Sequence, residues 1–145
     1  MLMEDAKSFL RQVEKLDVMI ANKLIEQQQW RDIALGITAN MDGERVQSSS
    51  SQSRMADALN KCIDMGAEID ALIDRLIDTK SRVVSTIEQL DSPTEYNVLH
   101  MKFVQLKSLS EIAESYGKDY TWATTVNGRA IASLHKILDE KKTGD

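Results

Sequence analysis

The sequence predicts an all-α protein, a long antiparallel helical hairpin followed by a compact helix-turn-helix unit. Three observations lead there. Pro occurs once and Gly six times in 145 residues, so few breakers interrupt a chain rich in Ala, Leu, Ile, Glu, Asp and Lys. Apolar residues recur every three or four positions over long stretches, and no period-two alternation lasts long enough to build a sheet. Helix-start signals at Ser92, Ser108 and Asp119 crowd into the last third of the chain. The length fits one domain, or one small domain with an extension.

The first element is expected from about Glu4 to about Asn40. Its apolar stripe runs through Phe9, Val13, Leu16 and Ile20, then Trp30, Ala34 and Ile37, with Lys23 and Gln27 interrupting the middle. Heptad-like spacing of this kind marks a long amphipathic helix. Residues 41–54, MDGERVQSSSSQSR, hold Gly43 and a run of four serines. They read as a connector, a solvated loop joining two helices. The stripe returns at Met55 and passes through Leu59, Cys62, Gly66, Ile69, Ile73, Leu76, Lys80, Val83, Ile87 and Leu90. Gly66 would let a partner helix approach closely, and Lys80 is the one charge in this seam. A single helix cannot bury such a stripe, so the two long helices should fold back on one another or pair between subunits. The expected division is a hairpin or coiled-coil region over residues 1–91 and a helix-turn-helix domain over 92–145, jointed at Leu90 to Pro93.

In the C-terminal part Ser92 is an N-cap, Pro93 occupies the first helical position, where its missing N–H costs nothing, and Glu95 completes a capping box. Ser108 with Glu111 forms a second box, and Asp119 caps a third helix. Ile112 and Ala113 fall on the buried side of the short middle helix, where Ala113 must be small because the third helix crosses it. Gly117 ends that helix in the left-handed conformation. Ala123 and Val126 then face the core, followed by Ala130, Ile131 and Leu134. A small residue, a glycine four later and a core residue six after that make up the helix-turn-helix pattern. Gly128 costs about 1 kcal/mol against Ala inside a helix. Either the DNA backbone or a neighbouring helix approaches closely there, or Asn127-Gly128 ends the third helix and a separate tail helix runs from Arg129 to Lys142; the unbroken helix is the expectation.

Charge limits where DNA could bind. The net charge is -5, which argues against non-specific nucleic-acid binding by the whole chain. Met1 to Ser92 carries eleven basic and sixteen acidic side chains, whereas Pro93 to Asp145 carries seven of each. Any DNA contact therefore belongs to the last third.

The segment LHMKFVQLKSLSEIAESYGKDYTWATTVNGRAI resembles the region-four helix-turn-helix of bacterial sigma factors, with Glu-Ile-Ala ahead of the turn glycine. Together with ERVQSSSSQSRMADAL and EIDALIDRLIDTKSRVVSTIEQL, it resembles the ArpU/RinA-type late-transcription regulators of phages and prophages, over roughly Arg45 to Leu138. The resemblance implies a sigma region-four-like C-terminal unit that binds promoter DNA and switches on late phage genes. Carried over by position, the recognition-helix cap falls on Asp119 and the groove-facing positions on Tyr120, Thr121, Thr124 and Thr125. Those relatives tend to carry Arg or another strongly polar residue at several of these places. Threonine can exchange hydrogen bonds with a base edge and pack its methyl on thymine, and tyrosine can contact a phosphate or stack. Lys107, Lys118, Arg129 and Lys136 supply cations for a weak, salt-sensitive footprint.

The remaining candidates read as structural. Asp70, Asp74 and Asp78 repeat every four residues as a solvated acidic row. His100 and His135 lack the clustered ligands a zinc site requires, so no metal site is expected. Cys62 is a small buried seam residue, and alone it forms no internal disulfide, as suits a reducing cytoplasm. Trp30 belongs to the first stripe, and Trp122 packs beside the core. No phosphate loop or triad appears, so neither catalysis nor a cofactor is expected. No apolar run is long enough for a membrane span, and the acids in MLMEDAKSFL point away from a secretory leader.

The expectation is a non-enzymatic, cytoplasmic, sequence-specific transcriptional regulator of phage origin. It would act at phage promoters with host RNA polymerase and associate as a homodimer. Two alternatives stay open. One is a packaging-type protein like a terminase small subunit, which a multimer of eight or more would favour. The other is a helical interaction module that does not bind DNA.

Overall fold

The computed structural model describes residues 3–36 and 49–143. The protein is all-α, with no strand among the described residues. Its helices are α1 (Met3–Ala34), α2 (Ser49–Ile87), α3 (Pro93–Leu99), α4 (Leu109–Ser115) and α5 (Tyr120–Thr143), with a π-helical turn at His100–Val104 between α3 and α4.

Two boundaries differ from expectation. α1 stops at Ala34 rather than near Asn40, because Gly36 takes a left-handed φ of 74° and its N–H bonds back to Ile33 O at 3.0 Å. A glycine in that conformation is an inexpensive helix terminator. Residues 37–40, with Ile37, lie outside the described part. At the other side, α2 already begins at Ser49, so the expected connector 41–54 is helical from there on. Serine costs only a fraction of a kcal/mol in a helix, and extending a long helix needs no new nucleus. Residues 41–48 of the connector lie outside the described part.

The chain folds as two compact units, Leu16–Arg75 and Met1–Lys15 with Leu76–Asp145. In the first, α1 and α2 run antiparallel: Lys23 pairs with Glu68, Gln27 with Cys62, and Trp30 meets Lys61. The seam buries Leu16, Ala58, Cys62, Met65, Ile69 and Leu72. The two interruptions of the α1 stripe are cross-helix polar contacts. Gln27 Nε2 donates to Cys62 O at 2.9 Å, and Lys23 Nζ lies 3.1 Å from Glu68 Oε1. Cys62 is buried, and its Sγ donates back to Gln27 O at 3.6 Å.

The α2 seam is rotated from the expected one. Cys62, Ile69, Val83, Ile87 and Leu90 are buried as expected, but Met55, Leu59 and Ile73 are exposed. Ala58, Met65 and Leu72 are buried in their stead. The apolar arc of α2 is wider than one seam, and this rotation puts Met65 and Leu72 inside where the other would put Gly66 and Ile73. Lys80 likewise is exposed, and Thr79 occupies the seam.

The second unit has its core at Ala6, Leu10 and Val13 of α1, Val83 and Ile87 of α2, Leu99, Phe103, and Ala130, Ile131 and Leu134 of α5. The ends of both long helices therefore pack with the C-terminal helices, and Leu90 to Pro93 lies inside this unit. Buried Thr86 satisfies its hydroxyl by donating to Arg82 O at 2.7 Å, and Thr79 Oγ1 accepts from Arg82 Nη2 at 3.2 Å. Ser92 Oγ accepts from Glu95 N to start α3 at Pro93. After α3 the helix widens: Gln105 N bonds to His100 O, and Lys107 N reaches Met101 O, both at 2.9 Å. Leu106 closes this turn at φ 60°, a conformation that disfavours any side chain bearing a Cβ. No helix among the described residues is long and apolar enough to cross a membrane.

Candidate nucleic-acid interface

The helix-turn-helix is assembled from local bonds that the sequence announces. At the start of α4, Ser108 Oγ accepts from Glu111 N at 3.1 Å and Glu111 Oε1 accepts from Ser108 N at 2.8 Å. The Ser108 backbone N–H, then its hydroxyl, holds the Glu111 carboxyl below the usual glutamate range. α4 buries Ile112 and Ala113. Gly117 leaves the helix at φ 65°, which releases Lys118 N to bond Ala113 O at 2.9 Å. Asp119 Oδ1 then accepts from Trp122 N at 2.8 Å and caps α5.

Packing fixes the angle between α4 and α5. Val98 and Met101 meet Ile112 and Val126, with Leu109, Tyr116 and Trp122 half-buried against them. The Tyr116 and Trp122 rings lie 5.0 Å apart between centroids, and the Asn97 amide donates to the Tyr116 hydroxyl at 2.8 Å. Trp122 is thus part of the packing. Ala123 and Ala130 are fully buried on the inward face of α5.

The outward face of α5 is open. Thr121, Thr124, Thr125 and Arg129 are exposed, and Tyr120 is 57% exposed. By helical spacing, Gly128 stands in the middle of the arc formed by Tyr120 and the three threonines, and Arg129 flanks it. α5 runs unbroken through Gly128, and a methyl group there would meet no heavy atom within 4 Å. Crowding by a neighbouring helix is therefore not the reason for this glycine. Beyond Arg129 the arc closes, since Ile131 is buried. Thr124 Oγ1 donates to Tyr120 O at 3.0 Å, so towards solvent this hydroxyl offers its lone pairs and not its proton.

The cations split into three groups. Lys118 is exposed in the turn beside Tyr120, and Arg129 lies at the far edge of the same face. Lys107 lies at the opposite end of α4. There it lines a shallow depression with Arg11, Lys102, Glu14 and Glu111. Sequence reasoning missed Arg11 and Lys102 in this group, and no local signal could have found Arg11, which arrives from α1. Lys136 lines a separate depression with Gln89, Glu95, Glu140 and Lys141 and does not join the threonine face. Exposed Glu114 and Asp119 temper the positive charge around the turn. The face is polar and only modestly cationic.

Elsewhere, no group of three His, Cys, Asp or Glu among the described residues could hold a metal ion. Asp70, Asp74 and Asp78 are all exposed. His100 Nδ1 lies 2.9 Å from Gln105 Nε2. No protein family matches the chain, and no curated protein and no solved structure is similar to it.

Proposed function

We propose that the chain is a DNA-binding transcriptional regulator, of the phage late-regulator kind its sequence resembles, acting at promoters with host RNA polymerase. One observation carries this reading: a helix N-terminus fixed by the Gly117 turn and the Asp119 cap, with an uncovered face of Tyr120, Thr121, Thr124 and Thr125. That face enters the major groove. Threonine methyls pack on thymine, threonine and tyrosine oxygens take base-edge and phosphate contacts, and Lys107, Lys118 and Arg129 meet phosphates. The protein works in the cytoplasm, without catalysis, and its long helices mediate self-association or contact with polymerase.

Three phosphate contacts give a salt slope near -2.7, so affinity falls roughly fortyfold between 50 and 200 mM salt. Such a footprint is weak for one copy and depends on the threonine face for selectivity. Fragments of host and phage genomes selected on the purified protein provide the ligand for a test. Thr124→Ala with Thr125→Ala is expected to leave helicity unchanged and weaken binding to those fragments by roughly tenfold or more. Equal binding by the double variant and the parent would remove the groove assignment. If the parent shifts no DNA even at low salt but still binds polymerase, the interaction-module alternative replaces this reading.

A further inference from the structure

The hairpin of Leu16–Arg75 has two unlike walls. Along one, Lys23 pairs with Glu68, and Lys61 Nζ lies 5.8 Å from the Trp30 ring centroid. Along the other, α2 exposes Met55 by 43%, Leu59 by 54%, Ile63 by 63% and Ile73 by 39%. The adjacent side of α1 adds Leu24 at 50%. Taking about 180 Å² for a fully exposed large aliphatic residue, these five leave roughly 450 Å² of apolar surface in water, the size of the largest and often functional patch of a typical monomer. That is a little over half of the roughly 800 Å² each partner contributes to a standard interface.

We propose that this wall is covered by the same wall of a second copy of the chain, with α2 lying antiparallel on α2 about a two-fold axis at Gly66. The proposal deepens the self-association named above and rests on that part of the reading alone, not on DNA binding.

The register of α2 carries the choice of occupant. An isologous contact must place residue i on j and j on i. Leu59 and Ile73 each stand seven residues from Gly66, and Met55 and Ile77, itself 60% exposed, each stand eleven away. A two-fold axis at Gly66 therefore seats Leu59 on Ile73 and Met55 on Ile77, twice over. A foreign partner imposes no such palindrome.

Gly66 supplies the second observation. A methyl there would meet only Gln27 Nε2, at 3.4 Å, the short end of ordinary van der Waals contact. Alanine has the higher helix propensity, so helix formation alone does not call for glycine at this point. A second α2 backbone crossing there does, because the missing Cβ lets the two helices close up.

Charge supplies the third. The cross-helix contacts Lys23 to Glu68 and Trp30 to Lys61 put Leu24 and Ile25 level with Gly66. Asp17 and Arg31, both exposed, each lie seven residues from Leu24. The same axis sets Arg31 of one copy beside Asp17 of the other, at both ends of the contact.

Sedimentation equilibrium or light scattering on the full chain is expected to give twice the 16.3 kDa chain mass. Leu59→Glu, at an exposed position, should yield a monomer with unchanged helicity. Arg31→Asp should weaken the dimer roughly tenfold by opposing two acids, and adding Asp17→Arg should restore it. Leu59→Cys with Ile73→Cys should cross-link into a covalent dimer on mild oxidation, as only the antiparallel register allows. A parent chain that stays monomeric throughout the micromolar range overturns the proposal. So does a dimer that Leu59→Glu leaves intact, or a larger ring. Band shifts run in parallel keep the two assignments apart, since a monomer that shifts DNA sinks only this one.

Discussion

Gly128 sits inside α5, at the centre of the exposed threonine arc, with no heavy atom within 4 Å of where a Cβ would stand. Gly128→Ala therefore introduces no clash. It removes the backbone freedom that glycine must surrender in a helix, a gain of about 1 kcal/mol. In a chain of this size that raises Tm by about 3 °C and moves the urea midpoint upward at constant slope. Circular dichroism during heating and urea titration gives both numbers. On the DNA reading the same methyl projects into the closest approach between α5 and the duplex, so affinity for selected fragments should fall several-fold while stability rises. Each readout has its own refutation. An unchanged or lowered Tm would show that the open-space argument fails, and undiminished binding would show that no backbone closes on Gly128.

Further substitutions probe the supporting structure. Asp119→Ala deletes the acceptor for Trp122 N and should cost about 1 kcal/mol, read as a fall in Tm that Asp119→Ser largely repairs. Leu134→Ala empties a fully buried position in the core and should cost about 2–5 kcal/mol in urea unfolding. Glu111, held below its ordinary value of 4.5 by the Ser108 N–H, stabilises the folded state fully above that value and ceases to do so as pH falls through its lowered value. The Tm gap between the parent and Glu111→Gln should accordingly be open at neutral pH and close as the pH falls through the lowered value; a gap that persists in acid would mean the carboxylate charge is irrelevant.

What the sequence made legible was whatever residues within a few positions of one another decide. Ser108 with Glu111, Gly117 and Asp119 take the expected roles because a cap or a left-handed turn is complete within four residues. The rotation of α2 was illegible for the opposite reason. Its apolar residues cover two adjoining faces, and Cys62 and Ile69 belong to either seam, so the choice of Met65 and Leu72 over Gly66 and Ile73 depends on what α1 offers. Lys23 and Gln27 looked like faults in a stripe because their partners, Glu68 and Cys62, lie a whole helix away. The π-turn ends on Leu106 in a conformation normally flagged by Gly or Asn, so nothing local announced it. At the candidate interface the threonine face could be read, whereas the company of Arg11 and Lys102 around Lys107 could not.

The two proposals bear on one another through affinity. A single helix-turn-helix with three phosphate-facing cations binds weakly, in the range of non-specific complexes at physiological salt. Joining two such faces in one dimer makes the second encounter intramolecular, at an effective concentration that can reach the millimolar range, and raises affinity by about 100-fold or more without a new contact. It also doubles the phosphates engaged, which steepens the salt slope from roughly -2.7 to roughly -5. Leu59→Glu should thus weaken DNA binding and halve the slope, although it lies on α2 and not on the threonine face of α5. A variant that is monomeric yet keeps both the parent affinity and the parent slope would show that each recognition face works alone, and that the apolar wall of the hairpin serves some other end.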